Sequence, residues 1–224
     1  MGLPDLPVRT ASPGTSVHTR VGQAPRRPNR RAPHEGAGRV PCFKAGQFAF
    51  FRFPKLNRGE QHPFTIVSQP GDAELRIAIR ALGDDTADVQ NSVSTGDAVM
   101  VEGPFGHFTL DTTPGKRQIW LAGGIGITPF LALSRALDDR EVRLVWCVPD
   151  APAAIFEEEL REAAKRHENL NFEVWSSADR GRISIDKLEI SEPTDCTYLV
   201  CGPTGLKQAL TQQLLARGVR RSAI

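Results

Sequence analysis

Apolar and polar residues follow two different patterns along the chain, and the change comes about half way. Between residues 42 and 111 the apolar stretches are short, and turn residues such as Pro70-Gly71-Asp72 separate them. The clearest stretch is residues 74–81, where apolar and polar positions alternate with the period of a strand that has one buried face. We predict strands at residues 47–53, 64–69, 74–81 and 97–103. This half is therefore expected to form an antiparallel barrel or sandwich.

From residue 116 onward, buried strands alternate with helical segments. We predict strands at residues 118–122, 142–148, 171–177 and 197–202, and helices at 129–137, 153–167 and 206–217, with a weaker one at 185–188. Strands that alternate with helices indicate βαβ units and a parallel sheet. The predicted fold class is a two-domain β plus α/β protein: a small antiparallel β-barrel at 41–113, then a parallel α/β domain at 114–224.

The first forty residues differ in composition from both halves. They hold seven arginines against two acidic residues, and six of the seventeen prolines. Such a segment buries little apolar surface, so we expect residues 1–40 to be a disordered basic tail. Its charge could attract nucleic acid or anionic lipid, but no aromatic residues lie between the arginines, so nucleic-acid binding is set aside. With only four or five strands, the barrel is expected to be incomplete.

The composition of the whole chain indicates a reducing compartment. No apolar run reaches the roughly 18 residues that span a bilayer, and the first residues lack the apolar segment of a secretion signal. The four cysteines are few and scattered, which does not suggest a disulfide framework. We therefore expect a cytoplasmic protein.

A glycine-rich turn near the start of the second half is predicted to bind an anion. Gly123-Gly124-Ile125-Gly126-Ile127-Thr128-Pro129 follows an apolar strand and precedes a helix. Glycines permit a tight turn and the close approach of a diphosphate, which a helix N-terminus also attracts. Thr128 is expected to cap this helix, and Pro129 suits its first turn. Asp150, which ends the next strand, is interpreted as a turn residue rather than a ribose ligand because prolines flank it.

Four segments together carry a family resemblance. They are His62-Pro63-Phe64-Thr65, Gly103-Pro104-Phe105-Gly106, the turn at 123–129 and Cys201-Gly202-Pro203. In this order and spacing they resemble the ferredoxin–NADP reductase superfamily, and His-Pro-Phe-Thr resembles its ferric reductase and NADPH oxidase-like branch. The resemblance implies that an antiparallel barrel binds FAD and a parallel α/β domain binds the nicotinamide dinucleotide.

For FAD, the resemblance assigns roles to two segments of the barrel. It implies that His62 and Pro63 lie along the flavin strand, with His62 near the diphosphate or ribityl chain. It further implies that Phe64 packs on the isoalloxazine ring and that Thr65 offers its hydroxyl to N5, which makes Thr65 a candidate catalytic residue. The implied diphosphate ligands are Arg80, Ala81, Gly83 and Thr86.

For the nicotinamide dinucleotide, the resemblance adds residues at two strand ends. Cys201, with Gly202 and Pro203 after it, is implied to lie beside nicotinamide C4 and flavin N5; it is a candidate catalytic residue without being a nucleophile. The implied ligands of a 2′-phosphate are Ser176, Ser177, Arg180 and Arg182. These donors favour NADPH over NADH, although Asp179 would repel a phosphate.

The resemblance implies an FAD-dependent oxidoreductase, ferric reductase-like or ferredoxin reductase-like, that takes hydride from NAD(P)H and passes electrons to an acceptor. The acceptor is unidentified: an iron chelate, oxygen, a redox protein such as ferredoxin, an oxygenase, or a membrane haem domain. Any membrane association is then expected through that partner. A non-catalytic or partner-dependent electron-transfer module with the same fold is the alternative, since relatives carry more barrel before residue 45 and a further strand after the last helix. No iron–sulfur site is expected, because Cys196-x4-Cys201 lacks a third cysteine two residues later.

Overall fold

The computed structural model describes the backbone of residues 5–10 and 16–22 and, in full, residues 42–56, 60–72, 74–80, 89, 92–94 and 97–224. The chain divides into two compact units, residues 1–109 and 110–224. The predicted boundary lay at 113/114, four residues further along. Each unit has its own sheet.

The first unit is an antiparallel sheet of six strands that closes on itself. The strands are β1 Asp5–Thr10, β2 Ser16–Gly22, β3 Phe48–Arg52, β4 His62–Thr65, β5 Glu74–Arg80 and β6 Ala98–Phe105. Their order in the sheet is β4-β3-β6-β1-β2-β5. Just after β4, Ile66 bridges to Ile77 of β5, and the Val67 amide donates to the Arg76 carbonyl at 2.8 Å. The two ends of the sheet therefore meet, and the sheet is a barrel.

Two expectations about the start of the chain are wrong. Residues 5–10 and 16–22 form strands rather than a disordered tail, and they complete the barrel that seemed to lack its first strands. β2 pairs with β5 along its whole length, from Ser16↔Arg80 to Gly22↔Glu74. The many arginines and prolines of residues 1–40 led to the prediction of disorder, although the β-branched residues at 17, 19 and 21 are typical of a strand. The rest of the predicted tail lies outside the described residues.

The core of the first unit follows the alternation seen in the sequence. Leu75, Ile77 and Ile79 of β5 are fully buried, as their spacing predicts. They pack with other apolar side chains of the same unit, among them Phe51, Ile66, Val99 and Val101.

The second unit is a parallel four-stranded sheet with helices. Its strands are β7 Arg117–Gly123, β8 Glu141–Val148, β9 Leu170–Ser176 and β10 Thr197–Cys201, in the order β10-β7-β8-β9. Its helices are α1 Thr128–Arg135, α2 Glu157–Arg166, α3 Ser177–Arg180 and α4 Thr204–Ala216. The chain runs outward from β7 through β8 to β9 and then returns to β10 on the other side of β7. The carboxyl ends of β7 and β10 therefore border a topological switch point, where such sheets bind ligands.

The largest differences between the predicted and observed helices concern three segments. The segment at 185–188 is a 3-10 turn, Asp186–Leu188, and α2 begins at Glu157 because Ala151–Ala153 forms a separate 3-10 turn. The short helix α3 was not predicted. Among the described residues, no helix is long and apolar enough to cross a bilayer.

Helices cover both faces of this second sheet. On one face Trp120 stacks with Phe130 of α1, with ring centroids 5.5 Å apart. On the other face Leu210 and Leu214 of α4 pack in a cluster with Trp175. Because β8 is central and covered on both faces, its consecutive residues Leu144, Val145 and Trp146 are all buried, as in parallel sheets generally.

Candidate dinucleotide and flavin sites

The glycine-rich turn lies at the switch point of the parallel sheet. β7 ends at Gly123, a 3-10 helix spans Gly124–Ile127, and α1 begins at Thr128. β10, its neighbour in the sheet, ends at Cys201 opposite Ala122. The two motifs that the sequence suggested for the dinucleotide therefore lie side by side.

Backbone contacts lock these two motifs together. A Cβ atom added to Gly126 would lie 2.4 Å from the Cys201 carbonyl oxygen and 2.7 Å from the Gly202 Cα. Gly202, at φ +153°, has the same restriction, since a Cβ there would lie 3.0 Å from both the Cα and the nitrogen of Gly123. The glycines are thus required for one strand end to pack against the other. Glycine at these positions lets the turn pack directly on the end of β10 beside the N-terminus of α1, which fits a site for a dinucleotide diphosphate.

Trp146 of β8 fixes the glycine-rich turn by a hydrogen bond, a role that the sequence did not indicate. Its indole Nε1 donates to the Gly124 carbonyl oxygen at 2.8 Å, and its ring is buried. Gly124 adopts a φ of +54° in this arrangement. A buried tryptophan needs a partner for its N–H, and that requirement is the only signal that could have pointed to it.

The predicted cap at Thr128 is wrong, whereas the position of Pro129 is confirmed. Thr128 is the first residue of α1 and is buried, and no side-chain cap bond occurs at this helix end. The 3-10 helix runs directly into α1, so the chain is already helical before Thr128 and no capping position exists there. Pro129 lies in the first turn, where its missing N–H is not needed.

Cys201 is a thiol and not a reactive thiolate. Burial raises the pKa of its thiol above the usual value, although nearby Lys207 acts in the opposite direction. The side chain remains partly exposed at the carboxyl edge of the sheet. Cys201 is therefore suited to contact a ligand as a neutral group, as expected for a residue that is not a nucleophile.

Asp150 is the turn residue that the sequence indicated. Its carboxylate Oδ1 accepts from the Ala153 amide at 3.1 Å and caps the 3-10 turn at Ala151–Ala153. The interpretation of Asp150 as turn chemistry is thus confirmed.

The candidate 2′-phosphate residues lie at the carboxyl end of β9: Ser176 ends the strand, Ser177 and Arg180 are on α3, and Arg182 follows it. Ser176 is buried, and its Oγ accepts from the Asp179 amide at 3.4 Å as the cap of α3, so its hydroxyl already has a structural role. Ser177 is half-buried, and Arg180 and Arg182 are exposed. Trp175, which the sequence did not single out, lies under Arg180 with the guanidinium carbon 3.5 Å from its ring centroid.

In the barrel, the predicted flavin strand is β4, from His62 to Thr65. His62 and Phe64 lie on the same side of the strand with ring centroids 6.2 Å apart, and both are half-exposed. Phe64 also contacts the buried Phe51, at 5.9 Å. Pro63 is exposed on the other side, where Thr65 also lies, opposite Phe48 of β3. One side of β4 thus leaves two flat rings partly open, which fits a flavin.

The predicted diphosphate segment is only partly described. Arg80 is the last residue of β5 and is exposed. Ala81, Gly83 and Thr86 lie outside the described residues. Gly103-Pro104-Phe105-Gly106 ends β6, where Phe105 packs with Phe48 and Phe50 at 5.9 and 5.6 Å.

Comparison with known proteins agrees with both halves of the fold. Residues 39–109 match the family model of an FAD-binding domain, and residues 120–212 match that of the oxidoreductase NAD-binding domain. The flavohemoprotein of Bordetella pertussis is 27% identical over 219 residues, which cover 86% of this chain and 54% of that protein. The chain thus spans about half the length of this curated relative.

Two solved structures share the fold. A flavohemoglobin from Malassezia yamatoensis, with bound FAD and heme, gives a TM-score of 0.81 at 22% identity, over 98% of this chain and 58% of that chain. The FAD/NAD-binding domain of nitric oxide dioxygenase from Vibrio cholerae gives 0.77 at 21% identity, over 100% and 96%.

Fold and sites together define the FAD- and NAD-binding module of an oxidoreductase. These two domain families agree with the resemblance to the ferredoxin–NADP reductase superfamily that the four sequence segments carry.

Proposed function

We propose that the chain is an FAD-dependent NADPH:acceptor reductase, which takes hydride from NADPH and passes the electrons on to a redox partner. The observation that carries this proposal is the interlocked pair of strand ends at the switch point, Gly123–Gly126 against Cys201–Gly202. FAD, when bound, supplies the chemistry that accepts a hydride and releases electrons one at a time. The chain's own residues bind and orient the two nucleotides.

In the barrel, β4 positions the flavin. Phe64 offers a half-exposed ring for the isoalloxazine, with His62 on the same side of the strand. Pro63 and Thr65 lie on the other side of the strand, and Thr65 is proposed to donate a hydrogen bond to flavin N5 at its end. Arg80 neutralises diphosphate charge from the end of β5. Ala81, Gly83 and Thr86 complete this diphosphate site.

In the second unit, the interlocked turn holds the dinucleotide diphosphate at Gly123, Gly124 and Gly126. Thr128 and Pro129 begin the helix whose N-terminus faces that charge. Gly202 and Pro203 shape the other wall, and Cys201 contacts the nicotinamide ring as a neutral thiol that helps to hold C4 in place.

NADPH is the proposed coenzyme rather than NADH. The turn after β9 offers donors to a 2′-phosphate from Ser177, Arg180 and Arg182, and Ser176 fixes the backbone of that turn. In the part of the chain that the structure describes, the hydroxyl of Ser177 and the guanidinium of Arg182 make no hydrogen bond or ion pair. These two groups are therefore available to a ligand.

The acceptor is proposed to be a one-electron carrier, either a separate redox protein or a haem domain. This is supported by the relative of about twice the length, whose name, flavohemoprotein, denotes haem as well as flavin. The reductase itself is proposed to act in the cytoplasm and to reach a membrane only through such a partner.

An anaerobic absorbance titration tests the proposal. Purified protein loaded with FAD should show the oxidised flavin spectrum, and NADPH should bleach it. A protein that holds FAD but is not reduced by either nicotinamide nucleotide would instead be a partner-dependent or non-catalytic module. A protein that retains no FAD would contradict the proposed flavin site.

A further inference from the structure

Arg180 is held in place by two neighbours on β9. Its Nη1 donates to Glu173 Oε2 at 3.1 Å, and its guanidinium lies flat against Trp175, with the guanidinium carbon 3.5 Å from the ring centroid. Because the side chain of Arg180 is 43% exposed, a rotamer-rich arginine at this position would otherwise be mobile. The contacts with Glu173 and Trp175 therefore define one orientation of an exposed guanidinium.

Glu173 is shared between two arginines. Its Oε1 accepts from Arg143 Nη2 at 2.7 Å and from Arg143 Nε at 3.2 Å, while Oε2 accepts from Arg180. Arg143 is itself anchored, since its Nη1 donates to the Leu188 carbonyl at 2.6 Å. Two cations thus surround one carboxylate, and the group keeps a net positive charge.

The ionised form of Glu173 is the stable one. Burial acts to raise the pKa of Glu173, but hydrogen bonds from Arg143 and Arg180 outweigh burial and hold the pKa below its usual value. The carboxylate is therefore charged at neutral pH and keeps both arginines engaged.

The orientation leaves donors of Arg180 open to a ligand. Within the described residues, Glu173 is the one side chain that accepts from this guanidinium, through Nη1, so Nε and Nη2 face no protein acceptor. Lys187 restrains the backbone that carries Arg180, because its Nζ donates to the carbonyl oxygens of Arg180 and Arg182, each at 3.0 Å. A guanidinium that is fixed along one edge and open along another can bind a phosphate bidentately.

We infer that Glu173 is a specificity-determining positioning residue, which with Trp175 holds Arg180 ready for the 2′-phosphate of the coenzyme. This inference rests on the proposed use of NADPH. The inference gives Glu173 a favourable effect on phosphate affinity although the residue is itself an anion. Arg143 offsets the repulsion between the Glu173 carboxylate and the phosphate, and the gain from orienting Arg180 outweighs what is left.

Calorimetric titration of the full chain with two probes tests the inference without electron transfer. Adenosine 2′,5′-bisphosphate carries the 2′-phosphate and 5′-AMP lacks it, so the ratio of their affinities measures recognition of that phosphate. Glu173→Ala should lower the ratio about three- to tenfold, the cost of immobilising one long side chain. Glu173→Gln keeps one acceptor oxygen and should give an intermediate value. Trp175→Leu should act in the same direction.

Two reference variants define the scale. Arg180→Ala should lower the ratio at least as far as Glu173→Ala. Glu158→Ala removes an exposed carboxylate from α2 and should leave the ratio unchanged, which excludes an effect of net charge alone.

A ratio that stays constant or rises in both Glu173 variants, while Arg180→Ala lowers it, overturns the inference and leaves NADPH use intact. A ratio near one in the unchanged protein overturns the inference and the choice of NADPH together. In that case bleaching of the flavin by NADH would still support the proposed reductase.

Discussion

The two units build their candidate sites in different ways. In the α/β unit, the proposed dinucleotide site is made of backbone: two strand ends that are neighbours in the sheet pack glycine against glycine. In the barrel, the proposed flavin strand β4 offers side chains, and the closure of the sheet fixes its position. The first kind of site leaves a short, recognisable motif in the sequence. The second depends on pairings between residues far apart in the chain, such as Ser16 and Arg80.

The largest expected effect comes from breaking the closure of the barrel. β2 pairs with β1 on one side and β5 on the other, with Thr19 opposite Thr10 and Ile77. Thr19→Pro removes a ladder hydrogen bond from an internal strand and should lower the free energy of unfolding of this unit by about 3 kcal/mol or more.

The two measurements are the melting temperature and the retention of FAD, followed by the quenching of its fluorescence; both should fall in Thr19→Pro. Thr19→Val is the matched control, because valine keeps the strand pairing. The second unit should still bind 5′-AMP. Unchanged FAD retention in Thr19→Pro would show that β2 is not needed for the barrel.

The second-largest effect is expected from a glycine substitution at the proposed dinucleotide site. Gly126→Ala places a methyl group 2.4 Å from a backbone oxygen, so the strand ends must separate. Overpacking of this kind costs about 1–3 kcal/mol, and calorimetry should show weak or absent dinucleotide binding with FAD retained.

The control for this change is Gly205→Ala in the first turn of α4, where an added Cβ meets nothing within 4 Å. That variant should be as stable as the original or slightly more so, because alanine favours a helix. Equal behaviour of the two variants would contradict the interlocked geometry.

Substitution of two buried tryptophans, one at a time, distinguishes an effect on stability from an effect on dinucleotide binding. Trp146→Phe leaves the Gly124 carbonyl without its donor and should cost about 1–3 kcal/mol, with weaker dinucleotide binding because the turn loosens. Trp120→Phe removes a buried hydrogen bond of the same length, from Nε1 to Gln118 Oε1 at 2.8 Å, away from the turn.

Thermal unfolding and nucleotide titration should therefore show similar destabilisation of the two variants but weaker binding only for Trp146→Phe. Should both bind normally, Trp146 would be a core residue without influence on the turn.

The smallest effect is a dependence on pH in the second unit. Since the folded pKa of Glu173 is lowered from 4.5, its ionisation stabilises the fold above about pH 4.5, and this contribution disappears as the pH falls through the lowered value. Glu173→Gln should remove that part of the acid dependence.

Carbon NMR of the carboxyl groups would report the pKa directly. Glu162, on the exposed side of α2, also has a lowered pKa through Lys165, but its full exposure means that Glu162→Gln should change stability less. A Glu173 pKa at or above 4.5 would contradict the ion pairs with both arginines.

Motif and period predicted the second unit well because both are local properties. Each predicted strand from 118 to 202 appears within a few residues of its place, and Asp150 caps the turn that the flanking prolines suggested. Thr128 was predicted as a cap because the sequence does not show that a 3-10 helix already leads into α1. Trp146, Glu173 and Trp175 were missed because a single strand position carries no record of its partner.

By itself, the sequence determined the change from strands to alternating strands and helices, the resemblance to flavin- and nicotinamide-binding reductases, and the residues of the glycine-rich turn. Composition misled at the start of the chain, because hydrogen bonding between backbones makes β1 and β2 strands and needs no apolar run. Only the tertiary structure decided that the barrel closes, that the two dinucleotide motifs interlock, and that Glu173 and Trp175 orient Arg180. The first two depend on contacts between residues that are distant in sequence. The third is a contact over five and seven residues, and it exists only because the chain turns back after β9 and lays Arg180 over that strand.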